Sequence, residues 1–166
     1  GPLFTTRPMN VVEHGVLHHA CFLVENVEKT ARRLNGSLGI GPWGIWTLQP
    51  ESCRLRGEPV EIRFRVAIAP VGNAQYELIE PLSETGLYAE QMREKGPGFH
   101  HTCIAYPSMG DLQNAREHLL KQGRPLVQEA RLGEAGAFCY FALEELDSFL
   151  ELLCLAALPR PEITIE

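Results

Sequence analysis

Two stretches of the chain share one pattern of apolar and polar positions: Val16-Leu17-His18-His19-Ala20-Cys21-Phe22-Leu23-Val24 and Gly98-Phe99-His100-His101-Thr102-Cys103-Ile104-Ala105-Tyr106. Each is a His-His pair, a small residue, a cysteine and an apolar run, which is the pattern of a buried strand. The copies lie about half a chain apart. A repeat at that distance predicts a fold built from two copies of one module.

The pattern between the copies supports this. After the first strand, Asn26 is placed to cap a helix whose apolar stripe is Val27, Ala31 and Leu34, with Gly36 and Gly39 ending it. Gly39-Ile40-Gly41-Pro42-Trp43-Gly44 reads as a Gly/Pro turn that delivers Trp43 and Trp46 to one edge. Residues 50–59 read as a mobile loop. Two strands follow over 60–69 and 74–80, joined as a hairpin through Pro70-Val71-Gly72-Asn73. In the first of them Glu61, Arg63 and Arg65 alternate with Ile62, Phe64 and Val66. Module one therefore reads βαβββ. A short helix over 84–95 bridges the halves, and Gly96-Pro97-Gly98 breaks it. The second module repeats the order. A strand over 99–106 leads to a helix opened by Pro107-Ser108, with Met109, Leu112, Ala115 and Leu119 on one face and Gly123 closing it. Strands near 125–128, 137–142 and 148–155 complete it. The expected organisation is a lead-in over 1–15, one domain over 16–156 made of modules 16–81 and 98–156, and a tail over 157–166 that frays around Pro159-Arg160-Pro161-Glu162. Gly1-Pro2 reads as the scar of a removed tag.

Composition narrows the class without naming a function. The chain has 166 residues, 45% hydrophobic and 22% charged, enough for a sizeable core. A net charge of −6, with the 15 Lys and Arg scattered rather than striped, argues against a nucleic-acid surface. No apolar run is long enough to span a membrane, and no charged segment precedes an apolar core as in a signal peptide. The five cysteines are odd in number, and Cys21, Cys103, Cys139 and Cys154 sit inside apolar runs. They read as reduced, buried thiols of a cytoplasmic protein.

The chemistry lies in what each module places on its strands. Module one ends Gln75-Tyr76-Glu77-Leu78-Ile79 and module two ends Phe149-Leu150-Glu151-Leu152-Leu153. Each puts a carboxylate in the middle of an apolar strand, which is costly unless the carboxylate is paired or coordinates a metal. With one His from the first strand and one Glu from the last, two modules about a pseudo-twofold bring His19, Glu77, His101 and Glu151 together. A single buried His or Glu is usually a satisfied core residue, with Arg63 or Arg65 as a partner for the acid; recurrence at matching places in both halves favours a shared site. Two imidazoles and two carboxylates suit a divalent ion such as Zn, Mn, Fe(II), Co or Ni. Strand parity turns His18 and His100 to the opposite face, in structural or supporting roles.

The two strand-His motifs, Tyr76-Glu77-Leu78-Ile79-Glu80-Pro81, Gly96-Pro97-Gly98-Phe99-His100-His101 and Leu150-Glu151-Leu152-Leu153 resemble the vicinal oxygen chelate superfamily over residues 16–156, in its glyoxalase and methylmalonyl-CoA epimerase-like branch. The resemblance implies an α+β fold of paired βαβββ modules forming a half-open β-barrel around a divalent ion held by His19, Glu77, His101 and Glu151. It also implies a carboxylate base on the strand after the loop, for which Glu61 is the nearest candidate and Glu58 the second. The chain departs from the branch at Ala142 and Asp147-Ser148, where relatives commonly have an Asp and two glycines, and at Cys154, where an acid is frequent.

The chemistry expected of such a site is Lewis-acid stabilisation of an enolate while a carboxylate, Glu151 or Glu61, moves a proton. Trp43, Trp46 and Phe64 are candidates for lining the substrate entrance. The expected activity is that of an isomerase or lyase on a small-molecule oxo acid or acyl-CoA, with a homodimer as the assembly. A drug-sequestering binding protein of the same fold and an Fe(II) dioxygenase are the alternatives. The four-ligand set disfavours both, since the first often lacks the ligands and the second would leave one acid idle. Arg54, Arg56, Arg63 and Arg65 are the candidate contacts for an anionic substrate.

Overall fold

The computed structural model describes residues 10–166. Gly1-Pro2 and most of the lead-in lie outside the described residues. Module one comprises β1 (Val16–Leu23), α1 (Val27–Leu38), β2 (Trp43–Leu48), β3 (Ser52–Leu55), β4 (Glu58–Pro59), β5 (Phe64–Val71) and β6 (Ala74–Pro81). After α2 (Leu87–Lys95) come β7 (Gly98–Ala105), α3 (Met109–Lys121), β8 (Leu126–Arg131), β9 (Gly136–Leu143), β10 (Ser148–Leu155) and β11 (Ile163–Ile165). All the strands join one sheet in the order β11-β2-β5-β6-β1-β7-β10-β9-β8-β3-β4, with β11 and β4 as edges, so the sheet does not close.

The helices form where local signals agree with an apolar stripe. Asn26 accepts from the Lys29 amide at 2.9 Å and Gly39 ends α1 in the left-handed region. Ser108 caps α3 by accepting from the Asp111 amide. The buried Val27 and Ala31 of α1 pack with Trp43, Ile45, Ala67 and Leu78 on the outer face of one half. Leu112, Ala115 and Leu119 of α3 do the same with Cys139, Phe141 and Leu152 on the other.

The inner face of the sheet holds the third cluster, which draws on both halves: Phe64, Val66 and Ile79 from one, Phe138, Tyr140 and Leu153 from the other. Strands β5 and β9 are far apart in the sheet order, so contact between their residues requires the sheet to curve around a common interior. The centre of that curve is the β1–β7 seam, where the two repeated strands run antiparallel, each with its own module's last strand parallel on its far side.

Two segments depart from the sequence reading. Residues 50–59 are an edge hairpin, with Cys53 buried opposite Ala130 of β8. That pairing is supplied by the second module, 73 or more residues away, and leaves no local periodicity to read. The tail is also held: β11 pairs with β2, and Glu162 accepts from the Thr47 amide at 2.9 Å. The alternation over Glu61 to Val66 holds, with Ile62, Phe64 and Val66 buried, although the strand itself begins at Phe64.

Gly136, at the start of β9, pairs with Leu155 at φ +144, and a Cβ there would lie 2.0 Å from the Cys154 carbonyl oxygen. The atoms it would meet are all backbone of Cys154 and Leu155, so no side chain can swing aside. Gly136→Ala is expected to destabilise the chain by about 2–3 kcal/mol, seen as a lower urea midpoint with an unchanged slope.

Candidate metal centre

Strand pairing explains why four separated residues meet. Across β6, β1 and β7 one row of paired positions reads Glu77, Cys21, His101; two positions along, on the same face, the row across β10, β7 and β1 reads Glu151, Cys103, His19. The rows are related by the pseudo-twofold, and each has an acid, a thiol and an imidazole side by side. His19, Glu77, His101 and Glu151 are all buried, as are Cys21 and Cys103. The cysteine of each repeat thus lies between the two groups of its row.

The donor atoms converge tightly. His19 Nε2 lies 3.1 Å from His101 Nε2, 3.2 Å from Glu77 Oε1 and 3.0 Å from Glu151 Oε1. His101 Nε2 lies 3.6 and 3.3 Å from the same two oxygens. One ligand atom from each residue falls within 4.8 Å of all the others. Metal–ligand bonds of ~2.1 Å place neighbouring donors about 3.0–3.4 Å apart; four of these five separations fall in that range and the fifth, His101 to Glu77, lies just beyond it. Glu151 Oε1 is the sharper test. It is buried and close to both rings, yet makes a well-directed hydrogen bond to neither. An orphaned carboxylate oxygen is costly in an apolar interior, and an ion between the four groups would satisfy it. The residues present fit a divalent cation.

The second histidines are placed by irregularity rather than by parity. The β1–β7 register slips at His18 on one strand and at His100 on the other, so each His-His pair is a β-bulge that re-aims its side chain. His18 and His100 therefore do not turn away. Each puts Nδ1 2.7 Å from Nδ1 of its neighbour, His19 or His101. One ring of each pair must donate there, which fixes the ligand imidazole with Nε2 directed at the centre.

Electrostatics follow from this packing. Burial acts to lower the His19 pKa, but Glu77 and Glu151 outweigh it and raise it to about 10. His101 is raised against the same penalty by Glu151 and Glu77. Burial pushes Glu77 up, yet His19 and His101 hold it at about 2. Glu151 is likewise held well below the usual carboxylate range by His101 and His19. His18 and His100 are both lowered, first by burial and then by the adjacent imidazole.

Other sequence candidates fall in different places. Phe64 lines the cavity that opens onto His19, Glu77 and Glu151. Trp43 is instead buried in the cluster under α1, because strand parity turns it with Ile45 to the outer face. Trp46 packs against the inner cluster and donates through Nε1 to the Pro159 carbonyl at 2.7 Å, but does not line the cavity. Glu61 and Glu58 are exposed. Glu61 lies on the outward parity of a segment whose Ile62 and Phe64 point in, and it is not brought to the cluster. Sequence reasoning missed Tyr88 and Tyr140, whose hydroxyls bond each other beside the histidines. It also missed Leu48, Leu132 and Leu158 around the cavity. Only the thiols had left a signal, their recurrence in both copies.

With this geometry in place, the comparisons can be set beside it. Residues 18–141 match the glyoxalase/bleomycin resistance protein/dioxygenase superfamily. The chain belongs to that superfamily. Among solved structures similar to this superfamily member, a hypothetical protein from Bacillus halodurans C-125 has a TM-score of 0.62 at 19% identity, over 88% of this chain and 98% of that one. The methylmalonyl-CoA epimerase from Mycobacterium tuberculosis has 0.59 at 21% identity, over 93% and 94%. A variant of Streptomyces coelicolor methylmalonyl-CoA epimerase in complex with 2-nitronate-propionyl-CoA has 0.59 at 16%, over 85% and 97%. At these identities the likeness establishes the superfamily fold. No curated protein matches the chain by sequence.

Two outcomes are expected. The raised His19 pKa means that the ion-free protein carries a proton which a metal must displace. Titration calorimetry with Zn or Co in buffers of differing ionisation enthalpy should show at least one proton released per ion at pH 7.5, with affinity rising about tenfold per pH unit towards pH 10. Absence of proton release would place the ion elsewhere. Replacing His18 or His100 by Phe should weaken metal binding by about 10–100-fold while His101→Ala removes most of it, measured as metal content after dialysis.

Proposed function

We propose that the chain is a metal-dependent isomerase or lyase that moves a proton beside a carbonyl group, in the manner of an epimerase or a glyoxalase. The observation that supports this most directly is the convergence of His19, Glu77, His101 and Glu151, the first, second and fourth of which line a largely apolar cavity. A divalent ion held by these four residues supplies Lewis-acid polarisation of substrate oxygens when bound. Zn, Co, Mn, Ni and Fe(II) all suit the nitrogen and oxygen donors.

The protein's own groups do the rest. Glu151 takes the proton and returns it. Of the two acids it is the one whose Oε1 makes no directed hydrogen bond, so it is the ligand free to let go and serve as base, and such a positioned base contributes about 10²–10⁴-fold. Glu77, paired with His19, stays ionised and holds its place. The bulge histidines fix both ring orientations, so the donors need no rearrangement as substrate enters. The aliphatic wall keeps water from the proton in transit.

The test is solvent exchange. Metal-loaded protein incubated in D2O with methylmalonyl-CoA and with α-hydroxy ketones should incorporate deuterium next to the carbonyl of at least one of them, followed by NMR. Glu151→Gln should slow that exchange by more than about 100-fold while keeping part of its metal. Exchange at the wild-type rate in that variant would sink the assignment of the base. No exchange with any carbonyl compound would favour a binding protein.

A further inference from the structure

The surroundings of the metal centre say what kind of molecule it receives. The cavity of about 50 Å³ holds His18, His19, Glu77, Glu151 and Tyr88 and is otherwise walled by Phe64, Val66, Ile68, Ile79, Phe138 and Leu153; burial and the adjacent His19 lower the His18 pKa, so that ring adds no positive charge. Its rim is leucine: Leu48, Leu132, Leu155 and Leu158, all half-buried. Three of these, Leu48, Leu132 and Leu158, also line a surface groove of about 270 Å³ outside the rim, whose charged residue is Glu51. The groove leads over the leucines to the metal centre. Among the described residues, no lysine or arginine lines either space.

The arginines are elsewhere. Arg63 and Arg65 lie on the outward parity of the segment whose Phe64 and Val66 face the cavity. Arg56 pairs with Glu90, and Arg54 donates to the Gly57 carbonyl. Arg54, Arg116 and Arg131 line a separate cleft on the outer side of the sheet under α3. Charge balance at the centre points the same way. Two carboxylates cancel a divalent ion, so an anionic substrate adds an uncompensated charge among aliphatic side chains, a costly burial. Glu51 at the groove adds repulsion on the way in.

We propose that this centre acts on an uncharged oxo compound with an aliphatic or aromatic substituent, and discriminates against substrates whose reacting end carries a carboxylate. The proposal rests on the metal-dependent reading above. The substituent lies along the leucine rim, and the carbonyl end reaches His19 and Glu151. Burial of each methylene against that rim favours binding, and a carboxylate there finds no cationic partner.

Chelators of graded charge and length test this on Co(II)-loaded wild-type protein, read from the visible Co(II) spectrum. Octanohydroxamic acid should bind at least about tenfold more tightly than acetohydroxamic acid, and malonate, each affinity being taken relative to that for free Co(II) in the same buffer, at least about tenfold more weakly than the singly charged acetohydroxamate. Leu158→Arg, at the half-buried rim, should strengthen malonate binding about tenfold with the Co(II) spectrum of the unliganded protein unchanged. A malonate affinity that, relative to free Co(II), equals that of acetohydroxamate, or no gain from the longer chain, overturns the assignment of the substrate alone. A protein that takes up no Co(II) overturns the metal reading and this one with it.

Discussion

Four ionisable side chains buried at the inside of an apolar sheet set the terms for the rest of the structure. Either carboxylate alone on that face would be costly enough to be protonated or to unfold its strand. Each is tolerated because two imidazoles lie within 3.6 Å or less of its oxygen. The imidazoles in turn come from opposite halves of the chain. No single module can therefore bury its own Glu at low cost, and the two halves are tied by electrostatics as well as by the β1–β7 pairing. The inward curve that brings Phe64 towards Phe138 completes the apolar shell that makes those charges strong.

The histidine pairs show how backbone irregularity serves the side chains. In a regular strand His18 and His19 point to opposite faces, and only one ring of each pair could reach the interior. The paired bulges bring the rings together, so each imidazole at the centre has its Nδ1 engaged and its Nε2 free to face inward. That the same slip occurs at the same place in both repeats means the repeated sequence encodes the distortion along with the strand. Cys21 and Cys103 fill the remaining position of each row, where a larger residue would push the acid and the imidazole apart.

Much of this was legible in the chain because the signal was duplicated. One histidine on an apolar strand says little, but His19 and His101, with Glu77 and Glu151 at matching ends, specify a shared centre and the βαβββ order around it. Features without a duplicate or a local period were not legible. The strand over Ser52–Leu55 depends on a β8 partner supplied by the other module, and β11 depends on β2. Trp43 and Trp46 differ by an odd number of positions along one strand, so parity separates them; a reading of both as entrance residues ignored that β2 begins at Trp43. Glu61 belongs to the parity that faces water. The leucine rim joins single residues from separate segments, which no window of sequence brings together.

Charge arithmetic bears on what an ion at the centre would replace. The carboxylates raise the pKa of both histidines, so a proton shared between the facing imidazoles offsets part of the buried negative charge. A divalent ion on neutral imidazoles would cancel the two carboxylates in full. A site with one carboxylate fewer would carry a net positive charge with the ion bound and would draw an anion to itself. The second carboxylate, Glu77 opposite Glu151, removes that pull. On the proposed reading, what enters the cavity is selected by the fit of apolar surface against leucine and phenylalanine rather than by charge attraction.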